Sequence, residues 1–71
     1  MTLREADEAA QKALPIIYQA PGQPAFEYKR ITQTGYTYDE NRHRRGFVQL
    51  LDKSGHSVVY AEPEHCTMKE A

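Results

Sequence analysis

The chain has 71 residues with 9 Lys and Arg against 10 Asp and Glu, a formal net charge of −1, and a single cysteine. That length supports one domain, residues 1–71, burying about 60% of its unfolded surface, and the lone Cys66 excludes an internal disulfide as reinforcement. The near-neutral total excludes a general electrostatic pull toward nucleic acid or anionic membrane, and no apolar run approaches the ~20 residues that a spanning helix needs.

Thr2 followed by Glu5 has the form of a capping box, in which each side chain satisfies a backbone N–H at a helix start. Ala6, Ala9, Ala10, Ala13 and Leu14 then favour a helix over residues 1–14, with Leu3, Ala6, Ala10, Ala13 and Leu14 near one face. Pro15 ends it at or before Leu14. A helix this short is marginal alone, so its narrow stripe has to dock on a sheet or on a partner.

Ile16-Ile17-Tyr18 reads as a short first strand, and Pro21-Gly22-Gln23-Pro24 as a turn. Phe26 to Tyr38 is the longest strand-like stretch. Its alternation slips near Arg30, as at a β-bulge or bend, and Gly35 marks a second expected bend. Asp39 to Gly46 reads as a charged loop. Phe47 to Ala61 is a hairpin: two runs of β-branched, aromatic and aliphatic residues around Asp52-Lys53-Ser54-Gly55-His56. Both runs carry apolar residues on both parities, so each sheet face needs cover. Pro63 closes the hairpin, and residues 67–71 read as a tail, with one turn of 3₁₀ helix or a last strand as the two options around Cys66, Thr67 and Met68.

The expected class is therefore α+β, mostly β: a short N-terminal helix, then over residues 15–66 a small curved antiparallel sheet or SH3-like barrel of four to five strands. The run Phe26-Glu27-Tyr28-Lys29-Arg30-Ile31, the polar loop, Phe47-Val48-Gln49-Leu50-Leu51-Asp52 and Ser57-Val58-Val59-Tyr60 resemble the strand order of small SH3-like barrels. The whole also resembles uncharacterised short proteins encoded on bacterial mobile elements. Such barrels serve as peptide-binding, nucleic-acid-binding and structural modules, so the resemblance implies a fold rather than a function.

Charge is unevenly spread. Residues 1–27 sum to −2, residues 28–56 to +3 and residues 57–71 to −2. Within the basic middle, Arg42, Arg44 and Arg45 crowd one loop, where guanidinium groups suit phosphate. Tyr36 and Tyr38 lie just upstream as stacking surfaces, and Lys29 and Arg30 are placed to join from the neighbouring strand. These seven residues form the candidate nucleic-acid site. The plain alternative is a solvated hairpin loop, partly neutralised by Asp39 and Glu40. Of the five tyrosines, Tyr28 and Tyr60 are expected to be packed or half-buried.

Chemistry has less support. His65 and Cys66 are adjacent, so on a strand they point to opposite faces, and no second ligand pair at zinc-finger spacing exists. For Cys66 as a nucleophile a base would have to come from His43 or His56, and no local motif supports that pairing, so Cys66 reads as a buried thiol. There is no glycine-rich phosphate loop and little room for a cleft, so no enzyme, metal or cofactor is expected. The expectation is a cytoplasmic, non-catalytic binding module without membrane contact. Its partner is nucleic acid, or alternatively a protein or second copy of itself meeting a Tyr-rich sheet face.

Overall fold

The capping box forms as its spacing implies. The Glu5 amide donates to Thr2 Oγ1 at 3.2 Å and the Thr2 amide to Glu5 Oε1 at 3.0 Å, a cap worth about 1 kcal/mol. It opens helix α1, Leu3–Gln11. The helix stops three residues short of the expected end at Leu14. Lys12 is the C-cap, Ala13 takes the left-handed conformation at φ 52°, and the Leu14 and Ala13 amides donate back to the Ala9 and Ala10 carbonyls. This is a Schellman closure with alanine where glycine is usual, so nothing in the composition advertised it.

A computed structural model describes residues 1–69. After α1 come strands β1 (Ile16–Tyr18), β2 (Phe26–Tyr28), β3 (Arg30–Tyr38), β4 (Arg44–Leu51) and β5 (Val58–Ala61). A 3₁₀ turn at Pro63–His65 then leads into β6 (Cys66–Met68). The mostly-β architecture with an N-terminal helix and antiparallel pairing is as expected. Its strands form two three-stranded sheets, β2-β1-β6 and β3-β4-β5, and these do not close into a barrel. Six strands among the described residues replace the expected four to five, because the single stretch expected over Phe26–Tyr38 divides into β2 and β3. The last strand, one of the two options for Cys66-Thr67-Met68, is β6, which pairs with β1 so that Tyr18 faces Cys66 and Ile16 faces Met68. Thr67 and Met68 thus belong to a sheet, and of the tail Glu70 and Ala71 lie outside the described residues.

The long strand-like stretch serves both sheets. It breaks at Lys29, whose amide donates to the Leu51 carbonyl at 2.8 Å, and the β3–β4 register then shifts between Ile31 and Gln33. The irregularity expected near Arg30 is this break and bulge. The β3–β4 register runs through Gly35 without a shift, and this glycine makes room for Phe47, whose Cε1 would lie 2.9 Å from a Cβ there.

The helix docks within the chain, against β3 and β4. Ala6 and Ala9 are fully buried with Ile16, Ile31, Val48, Leu50, Ala61 and Cys66. Small side chains let the helix backbone approach the sheet closely, while Ile16, Leu50 and Val48 are the largest fully buried aliphatic side chains, worth about 1.5–3 kcal/mol each. Thr34 on β3 donates a hydrogen bond to the Asp7 carboxylate and fixes the helix over the sheet. No helix among the described residues is long and apolar enough to cross a membrane.

Candidate nucleic-acid interface

The loop between β3 and β4 is shorter than expected. Only Asp39 to His43 turn; Arg44 and Arg45 are the first residues of β4. The Arg42 amide donates to the Asp39 carbonyl at 3.0 Å and the Asp39 amide to the His43 carbonyl at 3.1 Å, with Arg42 left-handed at φ 64°. This is a three-residue hairpin loop whose last position ordinarily favours glycine or asparagine. Asp39 holds it together: Oδ1 accepts from the Asn41 and His43 amides, each at 2.9 Å, and Oδ2 lies 3.5 Å from the Arg45 guanidinium. The amides of His43 and Asn41, aided by Arg45, hold the Asp39 carboxyl below its usual range.

Strand pairing sorts the charged residues between the two faces. Tyr38 pairs with Arg44, Tyr36 with Gly46 and Thr34 with the buried Val48, so Tyr36, Tyr38 and Arg44 share the face that carries the helix. They lie past the helix start. Leu3 sits over Gly46, where a Cβ would be 2.9 Å from Leu3 Cδ1, and beyond it Tyr36 and Tyr38 are 52% and 70% exposed. The Arg44 guanidinium carbon lies 4.3 Å from the Tyr36 ring centroid, a cation–π contact. Arg42 stands at the tip. Arg45, paired with Thr37, is on the opposite face and held by Asp39.

Four of the seven residues singled out in the sequence therefore converge: Tyr36, Tyr38, Arg42 and Arg44. Arg45 borders them from the other face. Lys29 and Arg30 do not join, because Arg30 pairs with Leu51 at the far end of β3, roughly 25 Å along the strand from Tyr38. An open groove of about 430 Å³ adjoins Tyr36 but not Tyr38, and Met1, Leu3, Arg45, Glu62, Pro63 and Glu64 also line it.

The opposite sheet face carries a second aromatic group that the candidate set missed. Phe47 and Tyr60 meet edge-to-face at 5.7 Å, and Gln49 Nε2 donates to the Tyr60 hydroxyl at 3.2 Å. Tyr60 is 66% exposed rather than packed, whereas Tyr28 is half-buried and lies 6.4 Å from Tyr18. The parity of Phe47 and Tyr60 in the hairpin was the available signal for this patch.

Groups suited to chemistry are occupied elsewhere. Cys66 is buried, its thiol donates to the Glu62 carbonyl at 3.5 Å, and burial pushes its pKa up to about 11. Such a thiol is a poor nucleophile at neutral pH. Glu62, Glu64 and His65 gather on the 3₁₀ turn, with the imidazole 3.4 Å from Glu62 and 3.8 Å from Glu64. Compared with known proteins, the chain matches no family model, no curated protein and no solved structure.

Proposed function

We propose that the protein is a small non-catalytic module that binds single-stranded nucleic acid on the platform of Tyr36, Tyr38, Arg42 and Arg44. The observation that carries this is the placement of two exposed tyrosines on one strand face with a guanidinium stacked beside them. Residues two apart on a strand rise about 6.6 Å, so the rings can serve successive unstacked bases. Stacking of that kind is tolerant of sequence, while Arg42 and Arg44 meet the backbone phosphates. Because the whole chain is not basic, binding depends on this local cluster, and a single strand suits it better than a duplex groove.

The test is a titration of labelled single- and double-stranded DNA and RNA at two salt concentrations. Affinity is expected to fall with salt, and an Arg42→Ala/Arg44→Ala variant should bind less, with the log–log salt slope reduced by about 0.7 per lost contact. Absence of binding at low salt for every oligonucleotide refutes the proposal. A second reading, a protein-interaction module, is favoured by the Phe47–Tyr60 pair on the other face. It predicts that Phe47→Ala and Tyr60→Ala, not the arginine changes, abolish partner binding.

A further inference from the structure

Strand β5 is the last strand of its sheet, and no strand among the described residues lies beyond it. Its exposure is unusual for so apolar a segment: Val58 is 45% exposed, Val59 36% and Tyr60 66%. Val59 pairs with the buried Leu50, so it lies on the helix face, while Val58 and Tyr60 lie on the other. Over Val58 to Tyr60 both faces of β5 are thus left open, because α1 sits over β3 and β4, and only Ala61 at the strand's end is buried. Val58–Ala61 also lacks the lysine or proline that usually blunts an open edge.

The hydrogen-bond phase is fixed by the hairpin. The Asp52 backbone amide donates to the Ser57 carbonyl at 2.9 Å, which makes Asp52–Ser57 a closely bonded pair. Antiparallel alternation then turns Val59 and Ala61 toward β4 and points the N–H and C=O groups of Val58 and Tyr60 outward.

We infer that β5 is the seam of a symmetric dimer, in which two copies pair their β5 strands antiparallel about Val59 and join two three-stranded sheets into one of six. In that register Val58 exchanges both backbone hydrogen bonds with Tyr60 of the partner subunit, so all the outward groups of these residues are used. The side chains agree with the backbone. Val58 lies opposite the partner's Tyr60, an aromatic–β-branched cross-strand pair of the favourable kind, and the Phe47–Tyr60 band continues across the seam. Beyond each end of the strand, the hairpin bend that carries His56 approaches the partner's Glu62, an imidazole near a carboxylate. No like charges meet. This self-complementarity selects a second copy over an unrelated strand, and it is independent of nucleic-acid binding.

Sedimentation of the full chain from about 10 µM to about 1 mM tests the seam, a range suited to a small interface. A monomer–dimer equilibrium is expected. Val58→Lys, which keeps the β4–β5 ladder, should weaken it at least about tenfold. Val59→Cys supplies a second measurement. Opposed residues of a non-hydrogen-bonded pair have Cα atoms about 4.5 Å apart, within disulfide reach, so this variant should oxidise to a covalent dimer while Glu40→Cys, at the hairpin tip, does not. The buried Cys66 does not compete. The inference is overturned by a monomer throughout that range, by a dimer that Val58→Lys leaves unchanged, or by failure of Val59→Cys to cross-link.

Discussion

The Arg44 guanidinium lies 4.3 Å from the centroid of the Tyr36 ring, so one face of that ring is already covered by a side chain of the neighbouring strand. Tyr38, paired opposite Arg44 and 70% exposed, has no such cover. The two tyrosines are therefore unequal as stacking surfaces. Arg44 stiffens Tyr36 and carries charge to it, whereas Tyr38 offers a free ring.

That inequality predicts an order of effects on oligonucleotide binding. Tyr38→Ala should cost about 1–3 kcal/mol, the usual worth of one base–aromatic stack. Tyr36→Ala should cost less, because Arg44 remains beside the vacated position as a flat cation able to stack itself. Anisotropy titrations of one labelled single strand against both variants decide this. A larger loss for Tyr36→Ala, or no loss for either, contradicts the platform geometry.

Two non-glycine residues among the described ones sit at positive φ, Ala13 at 52° and Arg42 at 64°. Each pays roughly 1 kcal/mol for a left-handed conformation that glycine adopts freely. Ala13 closes the helix, where alanine brings no interaction that glycine lacks. Ala13→Gly should stabilise the fold by about 1 kcal/mol and raise Tm by about 4–8 °C for a domain of this size. Arg42→Gly should stabilise similarly but weaken oligonucleotide binding, because the strained residue is also the tip guanidinium. Thermal melts of both variants, followed by titration of Arg42→Gly, measure the two effects separately. A destabilised Ala13→Gly would contradict the helix closure described above.

These positions also show where sequence stops being informative. The capping box, the Pro21-Gly22 turn, the break near Arg30 and the Phe47–Ala61 hairpin were legible because each is set by neighbours within a few residues. Ala13 was not, since alanine carries no mark of a left-handed backbone. Strand β6 was legible only as one of two options for Cys66-Thr67-Met68, a last strand or a 3₁₀ turn, because three residues establish no period and its partner β1 lies some fifty residues away. The arginine cluster was legible as composition but not as geometry. Strand alternation sends Arg44 and Arg45 to opposite faces once Arg44 pairs with Tyr38, and the length of β3 carries Lys29 and Arg30 away from the tip. Exposure of β5 depends on where α1 lands, which the hairpin itself does not encode.

Leu3 and Gly46 offer a test of how the helix start is seated. A Cβ at Gly46 would lie 2.9 Å from Leu3 Cδ1 and 3.2 Å from Cγ, too close without movement of the helix or a new rotamer. Gly46→Ala should therefore destabilise by about 1–3 kcal/mol, as overpacking does. Leu3→Ala removes the obstacle, so in the double variant the alanine at position 46 should cost less than it does alone. Denaturant unfolding of the two singles and the double gives the coupling, expected in the range of about 0.5–3 kcal/mol for contacting residues. Strict additivity would mean that Leu3 does not rest on Gly46.

Glu27 on β2 joins three separate parts of the chain. Its carboxylate lies 2.8 Å from Lys53 Nζ in the β4–β5 loop and bonds Lys69 just beyond β6. Lys53, then Lys69, pull its pKa from 4.5 down to about 2. Protonation is therefore harder in the folded state than in the unfolded one, and the carboxylate's contribution is fully present above about pH 4.5. It is lost as pH falls through that value toward about 2. Both lysines are well exposed, so solvent and salt screen the attraction and the effect is modest. Glu27→Gln should lower stability at neutral pH and flatten the decline between pH 4.5 and 2, with the two proteins converging at the acid end. High salt should shrink the difference. Urea unfolding at several pH values, with and without added salt, measures this directly, and parallel pH profiles for wild type and Glu27→Gln would show that the carboxylate does not link β2 to the two lysines in solution.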